Sequence, residues 1–575
     1  MGDRIGTITL IDENLVRATI PGSVRMGEVV YVGEERLMGE VIRIRPGLAD
    51  IQVYEDTTMI RTGEKVEFTG DVLQVELGPG ILTEIFDGLG NPLRKYGLFL
   101  TRGVHYPAVD PEKKWEFVPK VKKGDVVVEG DIIGTVQETP LIEHRIMVPV
   151  GISGEILEIK KGEFSAYDTV AVVKDKEGKK HELSMVQKWP IRTPRPIKER
   201  LRLSELLETR TRIIDGFLPI AKGGTGCFPG AFGTGKTVAE HQLSRQSRAQ
   251  VVVYVGCGER AGEMVELITE FPELTDPDTG RPLIERTIMV VNTSAMPVSA
   301  RESSVYLGVT FGEYFRDQGY DVLVLADSTS RWLQALREMS GRLEEIPGEE
   351  GFPAYLETRI SSWYERAGKV RCLGSDERMG SVTIIGAVSP PGGDFSEPVT
   401  QATIKVTGCF FGLSRRLAEA RIYPAIDPLI SKSKYFEDLA PFFAEKGYPR
   451  WVEDVELLKG YILEGVRIKE QIDILGDAGV SDRDYLTYQL SLMIRDSYLV
   501  QNFFHPVDGA TSLERHYFML EFLREIIEWA KKLETLGKEK MREKIAKITY
   551  ELIQMNYQKD YQEYAEKIRK ELLKE

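Results

Sequence analysis

Gly230-Ala231-Phe232-Gly233-Thr234-Gly235-Lys236-Thr237 is a complete Gly-x-x-x-x-Gly-Lys-Thr phosphate loop, and the sequence around it gives the octet its meaning. A Gly-rich loop turns successive backbone N–H groups toward phosphate oxygens, and the positive end of the following helix adds to their field. In such a loop Lys236 reaches the β- and γ-phosphates, and the Thr237 hydroxyl can ligate Mg²⁺. The bland alternative is a glycine turn that happens to precede a lysine. Two apolar runs weigh against it. Val251-Val252-Val253-Tyr254-Val255 leads into Gly258-Glu259-Arg260, and Val322-Leu323-Val324-Leu325-Ala326 ends in Asp327. Open parallel sheets bind ligands at the carboxyl ends of their strands, where Asp327 suits a carboxylate near a nucleotide's metal ion. A strand-end aspartate alone is also a common turn former. Taken together, loop and strands predict a site for a nucleoside triphosphate.

The chain has 575 residues, which on the length prior suggests about four domains, and its 42% hydrophobic content is that of a globular protein able to build sizeable cores. The formal net charge of −14 argues against a nucleic-acid sleeve, which would present a basic face. Cys227, Cys257, Cys372 and Cys409 show no Cys-x-x-Cys spacing, so neither a zinc site nor a disulfide framework is expected and a reducing cytoplasm is the simpler reading. The start, Met1-Gly2-Asp3-Arg4-Ile5, lacks a signal-peptide core, and no apolar stretch is long enough to span a bilayer. Any membrane association is therefore expected to run through a partner.

Residues 1–70 hold short β-like runs between glycines, such as Ile5–Leu10, Glu28–Val32 and Ala49–Tyr54; their spacing predicts a small N-terminal β-barrel. Residues 111–185 are β-like again, with Lys-Lys-Gly turn signals at 122 and 160. This stretch superficially resembles a lipoyl-carrier barrel but lacks an exposed lysine between two methionines, and it reads as an inserted β-rich structural module. Pro190, Pro194 and Pro196 punctuate the way out of it. From about 195 to 435 β-like runs alternate with helical ones, among them a crossover from Ser303 through Phe315, as a parallel sheet requires. After 436 amphipathic helical patterns take over, and Ser512–Glu575 reads as charged helix packing on its own domain. The expected fold is multidomain: a barrel over 1–70, an α/β P-loop nucleotide-binding domain from 71–110 and 186–435, the insertion over 111–185, and an α-helical domain over 436–575.

Hydrolysis requires a group that orients water opposite the leaving phosphate. Glu259 follows the first strand after the loop helix and is the candidate; a surface salt bridge with Arg260 is the alternative for the same two residues. Glu263 lies one helical turn on and could join a metal shell through water. Arg331 follows Asp327 by four and could point back to that strand end.

Several longer stretches now make a family visible. The loop, Gly256-Cys257-Gly258-Glu259-Arg260, Phe271-Pro272-Glu273-Leu274-Thr275-Asp276-Pro277, Ala326-Asp327-Ser328-Thr329-Ser330-Arg331-Trp332 and Ser389-Pro390-Pro391-Gly392-Gly393-Asp394-Phe395-Ser396-Glu397-Pro398-Val399-Thr400 resemble the catalytic A subunit (alpha chain) of V-type and archaeal-type rotary ATPases. The resemblance runs over essentially the whole chain, including the insertion that distinguishes this subunit from the F-type β subunit. It implies an α/β RecA-like core that binds ATP or ADP with Mg²⁺. It makes Glu259 the residue that polarises the attacking water, with Lys236 and Arg260 on the γ-phosphate. Thr237 would ligate Mg²⁺ directly, and Asp327 and Glu263 through water. Phe504, in Val500-Gln501-Asn502-Phe503-Phe504-His505-Pro506, matches the aromatic that packs on adenine, and Tyr423, in Ile422-Tyr423-Pro424-Ala425-Ile426-Asp427-Pro428, the second aromatic wall; ordinary aromatic core is the alternative for both. Ala231 stands where a proline is common, a change that leaves backbone phosphate contacts intact. The region Ile472 through Asp484 resembles the helix-turn-helix lever of F-type β subunits; Asp477, Asp482 and Asp484 could touch a central shaft or simply cap helices.

The same resemblance implies partners: a homologous non-catalytic B subunit that alternates with this chain, three of each, central-stalk and peripheral-stalk subunits, and a membrane sector that moves H⁺ or Na⁺. It places the chain peripherally, on the cytoplasmic face of a membrane. As a compact β module hung on the core, the insertion is expected to dock a peripheral stator or a neighbouring subunit. Two other classes share the core. A ring acting on nucleic acid is disfavoured by the acidic composition and the insertion, and no nucleic acid is expected as a ligand. A nucleotide-binding protein without catalysis is disfavoured by Lys236 together with Glu259. Export-apparatus ATPases would not be expected to carry the insertion.

Overall fold

The computed structural model describes residues 4–95 and 102–573. The chain packs into two compact units, one made of residues up to Arg202 with Ala249–Val388 and Ser396–Val406, the other of Leu203–Arg248, Ser389–Phe395 and the residues from Thr407 on.

The first unit begins with a closed barrel. Its strands Ile5–Asp12, Leu15–Thr19, Glu28–Val32, Leu37–Arg45, Leu48–Val53 and Lys65–Val72 join in the order first, second, fifth, fourth, third, sixth. Alternate residues point inward, and Val16, Ala18, Val30, Val32, Ile51 and Val53 fill the interior, the period-2 pattern expected of strands with one wet face. The insertion forms two four-stranded sheets: Val126–Val127 with Gly154–Ile159, Ala171–Lys174 and Lys180–Leu183, and Glu143–Met147 with Ile132–Gln137, Lys114–Pro119 and Gly162–Ser165. The strand Gln74–Leu77 pairs with Gln187–Pro190 where the chain leaves this module.

The remainder of the unit is a parallel sheet in the order Ile85–Phe86, Thr287–Thr293, Val251–Glu259, Asp321–Asp327, Met379–Val388. Two antiparallel strands, Gly368–Arg371 and Glu199–Leu201, extend it beyond Met379–Val388. Val251 through Gly258 are all buried, as continuous apolar runs are when both sheet faces are covered. The crossover helix Val298–Asp317 lies on this sheet. It comes close because Gly308 and Gly312 face Val255 and Val324; a Cβ there would fall 2.3 and 2.8 Å from those side chains. Arg192 ties this helix to the barrel by bonding Glu302 and Glu40, each at 2.6 Å. At the helix's other end the insertion takes hold: His144 sits between Glu138 at 2.5 Å and Tyr314 at 2.8 Å, and Tyr320 donates to the Glu143 carbonyl at 2.6 Å. These contacts precede Asp321, so the module grips the amino end of the strand Asp321–Asp327, roughly 20 Å along the sheet from its carboxyl end.

The second unit combines the strand Thr225–Pro229, parallel to Cys409–Phe410, with the helix Lys236–Gln246 and a helical region. The long helices of that region are Trp451–Leu475, Asp482–Ile494, Leu513–Ala530, Lys538–Asn556 and Tyr561–Glu571. Trp451, stacked on Phe443 with ring centroids 4.4 Å apart, anchors the first of them. That helix ends exposed at Ile474 and Leu475. In the turn beyond, Ser481 caps the helix Asp482–Ile494 by accepting from Asp484 N at 3.1 Å, so Asp484 belongs to the helix start while Asp477 stays at the exposed turn. No helix among the described residues is long and apolar enough to cross a membrane.

Candidate active site

The phosphate loop runs from the buried strand Thr225–Pro229 into the helix that starts at Lys236. Gly233 and Gly235 adopt φ of 80° and 86°, the left-handed region that side chains resist. Gly230 is needed for space, since a Cβ there would meet the Leu413 side chain at 2.6 Å and Thr234 Oγ1 at 2.7 Å. Thr234 turns its hydroxyl inward to the Ala231 carbonyl at 2.7 Å. Lys236 is buried, and its Nζ donates to the carbonyls of Gly230 at 2.7 Å and Ala231 at 3.3 Å. Phe232 and Thr237 face outward. The segment Ser389–Phe395 lies against the loop, with Gly393 so near that a Cβ on it would be 3.4 Å from Ala231 Cβ.

The same unit holds both sequence-predicted aromatics, and it sets Tyr423 beside this loop. The Tyr423 ring lies 3.7 Å from where a Cβ on Gly235 would stand. The Tyr423 carbonyl accepts from Gln501 N at 3.0 Å, three residues before Phe504. Phe503 is buried while Phe504 is 87% exposed, so the two adjacent rings divide between core and solvent. Arg212 fixes this loop and was not recognised from sequence. Its fully buried guanidinium donates to the carbonyls of Tyr498 at 2.6 Å and Val500 at 2.5 Å and to Asp508 at 2.6 Å, while its backbone N–H donates to Gln501 at 2.8 Å. Gln242, on the helix after the phosphate loop, donates to the Gly509 carbonyl at 2.6 Å. Nothing local marks an arginine that pairs with residues nearly three hundred positions away.

The other unit gathers the carboxylates. Parallel pairing sets Gly256 beside Asp327, so Asp327 and Glu259 end neighbouring strands on the same edge of the sheet. Asp327 is buried. Burial pushes the Glu259 carboxyl up to about 7, reinforced by the charge of Asp327 and by a hydrogen bond with Glu263, and opposed by Arg331. Arg331 lies close enough for its positive charge to act on the Glu259 carboxyl. Glu263 stands on the helix Ala261–Glu270, for which Arg260 is the exposed, extended entry residue. Among the described residues no group of three or more His, Cys, Asp or Glu is arranged to hold a metal by itself. All four cysteines are buried, and burial raises their thiols well above the ordinary value; they are inert by position.

Residues 210–433 match the family model for the nucleotide-binding domain of the ATP synthase alpha/beta family. Residues 14–70 match that family's β-barrel domain and 106–192 its barrel-sandwich domain. Residues 441–546 match the C-terminal domain of V and A type ATP synthase. The A subunit of the A-type ATP synthase of Methanopyrus kandleri is 52% identical over 521 residues, covering 90% of this chain and 88% of the relative. The V-type ATP synthase alpha chain of Thermoanaerobacter pseudethanolicus is 48% identical over 556 residues, 95% of this chain and 94% of its own. Among solved structures, the assembled ATPase EscN of an enteropathogenic E. coli type III secretion system superposes with a TM-score of 0.64 at 19% identity, over 90% of this chain and 99% of that one. That likeness is one of fold alone.

Proposed function

This chain belongs to the A-subunit (alpha-chain) family of A-type and V-type ATP synthases, and from that premise we propose how its residues make or hydrolyse ATP. The activity is ATP + H₂O ⇌ ADP + phosphate, coupled to movement of H⁺ or Na⁺ through a separate membrane sector. The observation that carries the reading is Glu259: a half-buried carboxyl group pushed up to about 7, at the carboxyl end of a parallel strand. A base balanced near neutrality accepts a proton without being locked in either state.

In hydrolysis Glu259, ionised, accepts a hydrogen bond from water and turns its lone pair toward the γ-phosphorus. Lys236 leaves the carbonyls of Gly230 and Ala231 for the phosphate oxygens, and Arg260 joins it there. The backbone N–H groups from Gly230 to Thr237 cradle the β-phosphate. Tyr423 and Phe504 take the adenine ring between them; an aromatic as exposed as Phe504 gains burial when a base covers it. The donors fit Mg²⁺, since the outward-facing Thr237 hydroxyl and the carboxylates of Asp327 and Glu263 are the hard oxygen ligands it prefers. Thr237 would hold it directly and the carboxylates through water, and when bound it supplies positive charge to the phosphates.

The partners proposed are a homologous B subunit, three copies alternating with three of this chain, together with central and peripheral stalks on the cytoplasmic face of a membrane. The B subunit supplies a further arginine, and the acidic turn at 477–484 transmits rotation. The insertion docks a peripheral stator or a neighbouring subunit. Purified alone, the chain is expected to bind ATP and turn it over about 10³-fold more slowly than the assembled complex, with activity restored by adding B and central-stalk subunits. Equal turnover by the isolated chain would refute the shared-site mechanism.

A further inference from the structure

The strand that carries Glu259 is irregular at one point. Cys257 pairs with Asn292 and Glu259 with Thr293, so Gly258 is an extra residue between two consecutive partners. Its φ is 69°. A bulge of this kind bends a strand and re-aims the next side chain, and here the next side chain is Glu259.

Two arginines enclose the bulge. A Cβ on Gly258 would lie 2.7 Å from Cδ and 2.9 Å from Nε of Arg301, and 3.0 Å from Cβ of Arg331. Arg301 sits one turn into the helix Val298–Asp317. Its Nη2 donates to the Ser294 carbonyl at 3.1 Å, and Ser294 N donates to the Glu259 carbonyl at 2.9 Å. Its own backbone carbonyl accepts from Cys257 Sγ at 3.4 Å. Residues 257, 258 and 259 are therefore each held through Arg301 or through the turn it bonds. Arg301 Nε is buried with no hydrogen-bond partner among the described residues. A buried N–H without a partner is a cost, so the position over Gly258 is not accounted for by Nε; the bond from Nη2 to Ser294 is what holds the side chain there.

We propose that Arg301 is a positioning residue for ATP turnover, clamping the Gly258 bulge so that the Glu259 carboxylate is aimed at water. The proposal rests on the role given above to Glu259. It needs no contact between Arg301 and the nucleotide.

The test uses the assembled complex carrying Arg301→Met, Arg301→Lys, Glu259→Gln, or Arg301→Met with Glu259→Gln. Arg301→Met keeps the stem over the bulge and removes the donor. It should lower kcat by about 10²-fold, the scale of a displacement near 1 Å, with the KM for Mg-ATP little changed. Arg301→Lys, which retains a donor for Ser294, should recover most of that loss. The double variant should turn over like Glu259→Gln alone, because an aim is worthless once the group being aimed is gone. Parental turnover by Arg301→Met, or a double variant slowed by the product of the two single effects, would overturn the proposal. Parental turnover by Glu259→Gln would instead overturn the role of Glu259. If Arg301→Met does not assemble, Gly258→Ala reaches the same packing from the strand side: its loss of kcat should vanish in the Glu259→Gln background, and persistence there counts against the clamp.

Discussion

In the loop Gly230–Thr237 the one cation, Lys236, rests on carbonyls of the loop itself, whereas at the end of Val251–Glu259 the carboxyl groups of Glu259, Asp327 and Glu263 press on one another with Arg331 as a counterweight. The loop is shaped by backbone conformation and already satisfies its own charge. The strand ends are shaped by burial and hold an electrostatic strain that a proton or a cation relieves. A phosphate therefore finds the first region pre-formed but must displace internal bonds, and the second region gains from any arriving positive charge. The lesson is that one substitution can separate binding from chemistry only in the second region.

Lys236→Ala should break the comparison most completely. Without its ammonium the loop keeps its turn but loses the only charge it can transfer to the phosphates, so turnover is expected to vanish and nucleotide binding to weaken; titration with a fluorescent nucleotide and a phosphate-release assay read both. Glu259→Gln should leave binding of Mg-ATP close to parental while turnover falls by about 10²–10⁴-fold, the usual contribution of a positioned base. If the two variants lose binding equally, the two regions do not differ as described.

The strain has its own signature in the nucleotide-free protein. The folded chain holds the Glu259 proton up to about pH 7, against an ordinary value of 4.5. Between those values the unfolded chain binds fewer protons than the folded one, so this group's contribution to stability falls as pH rises through the window, and the full penalty remains above it. Glu259→Gln removes the penalty. It should melt with the parent near pH 4.5 and above it at pH 8, by at most about 3 kcal/mol in stability. An inactive variant that is no more stable at pH 8 would mean that the carboxylates are not strained. The smallest effect belongs to the loop: Gly233→Ala, at φ 80° with open space around it, should cost about 1–2 kcal/mol from backbone conformation alone, seen as a modest drop in melting temperature without a change in the pH profile.

Much of this was legible in local pattern. The octet specifies its turn and the helix behind it, because Gly-rich turns and helix starts are set by a few adjacent residues. The runs before Glu259 and Asp327 are apolar throughout, which is what a doubly covered parallel strand looks like. The crossover expected from Ser303 through Phe315 is observed as the helix Val298–Asp317. What could not be read depends on residues distant in sequence. Arg212 is unremarkable until Gln501 and Asp508 arrive beside it. The bulge at Gly258 is invisible without the pairing of its neighbours to Asn292 and Thr293, and Arg301 has no apparent purpose until that bulge is seen. The exposed aromatic at Phe504 and the buried one at Phe503 are the same residue type side by side, and only packing distinguishes them.

The N-terminal barrel has a consequence for the life of the chain before assembly. Its six strands close on themselves, so among the described residues the barrel leaves no open sheet edge of unpaired N–H and C=O groups to a neighbouring molecule. An open sheet of the same strands would present two edges, and exposed edges are templates for pairing with identical chains. Identical chains made together meet at high local concentration of one and the same sequence. Closing the barrel leaves side-chain chemistry, and not backbone pairing, to decide which surfaces of this region meet, and so guards the pool of unassembled chains against fibrous association.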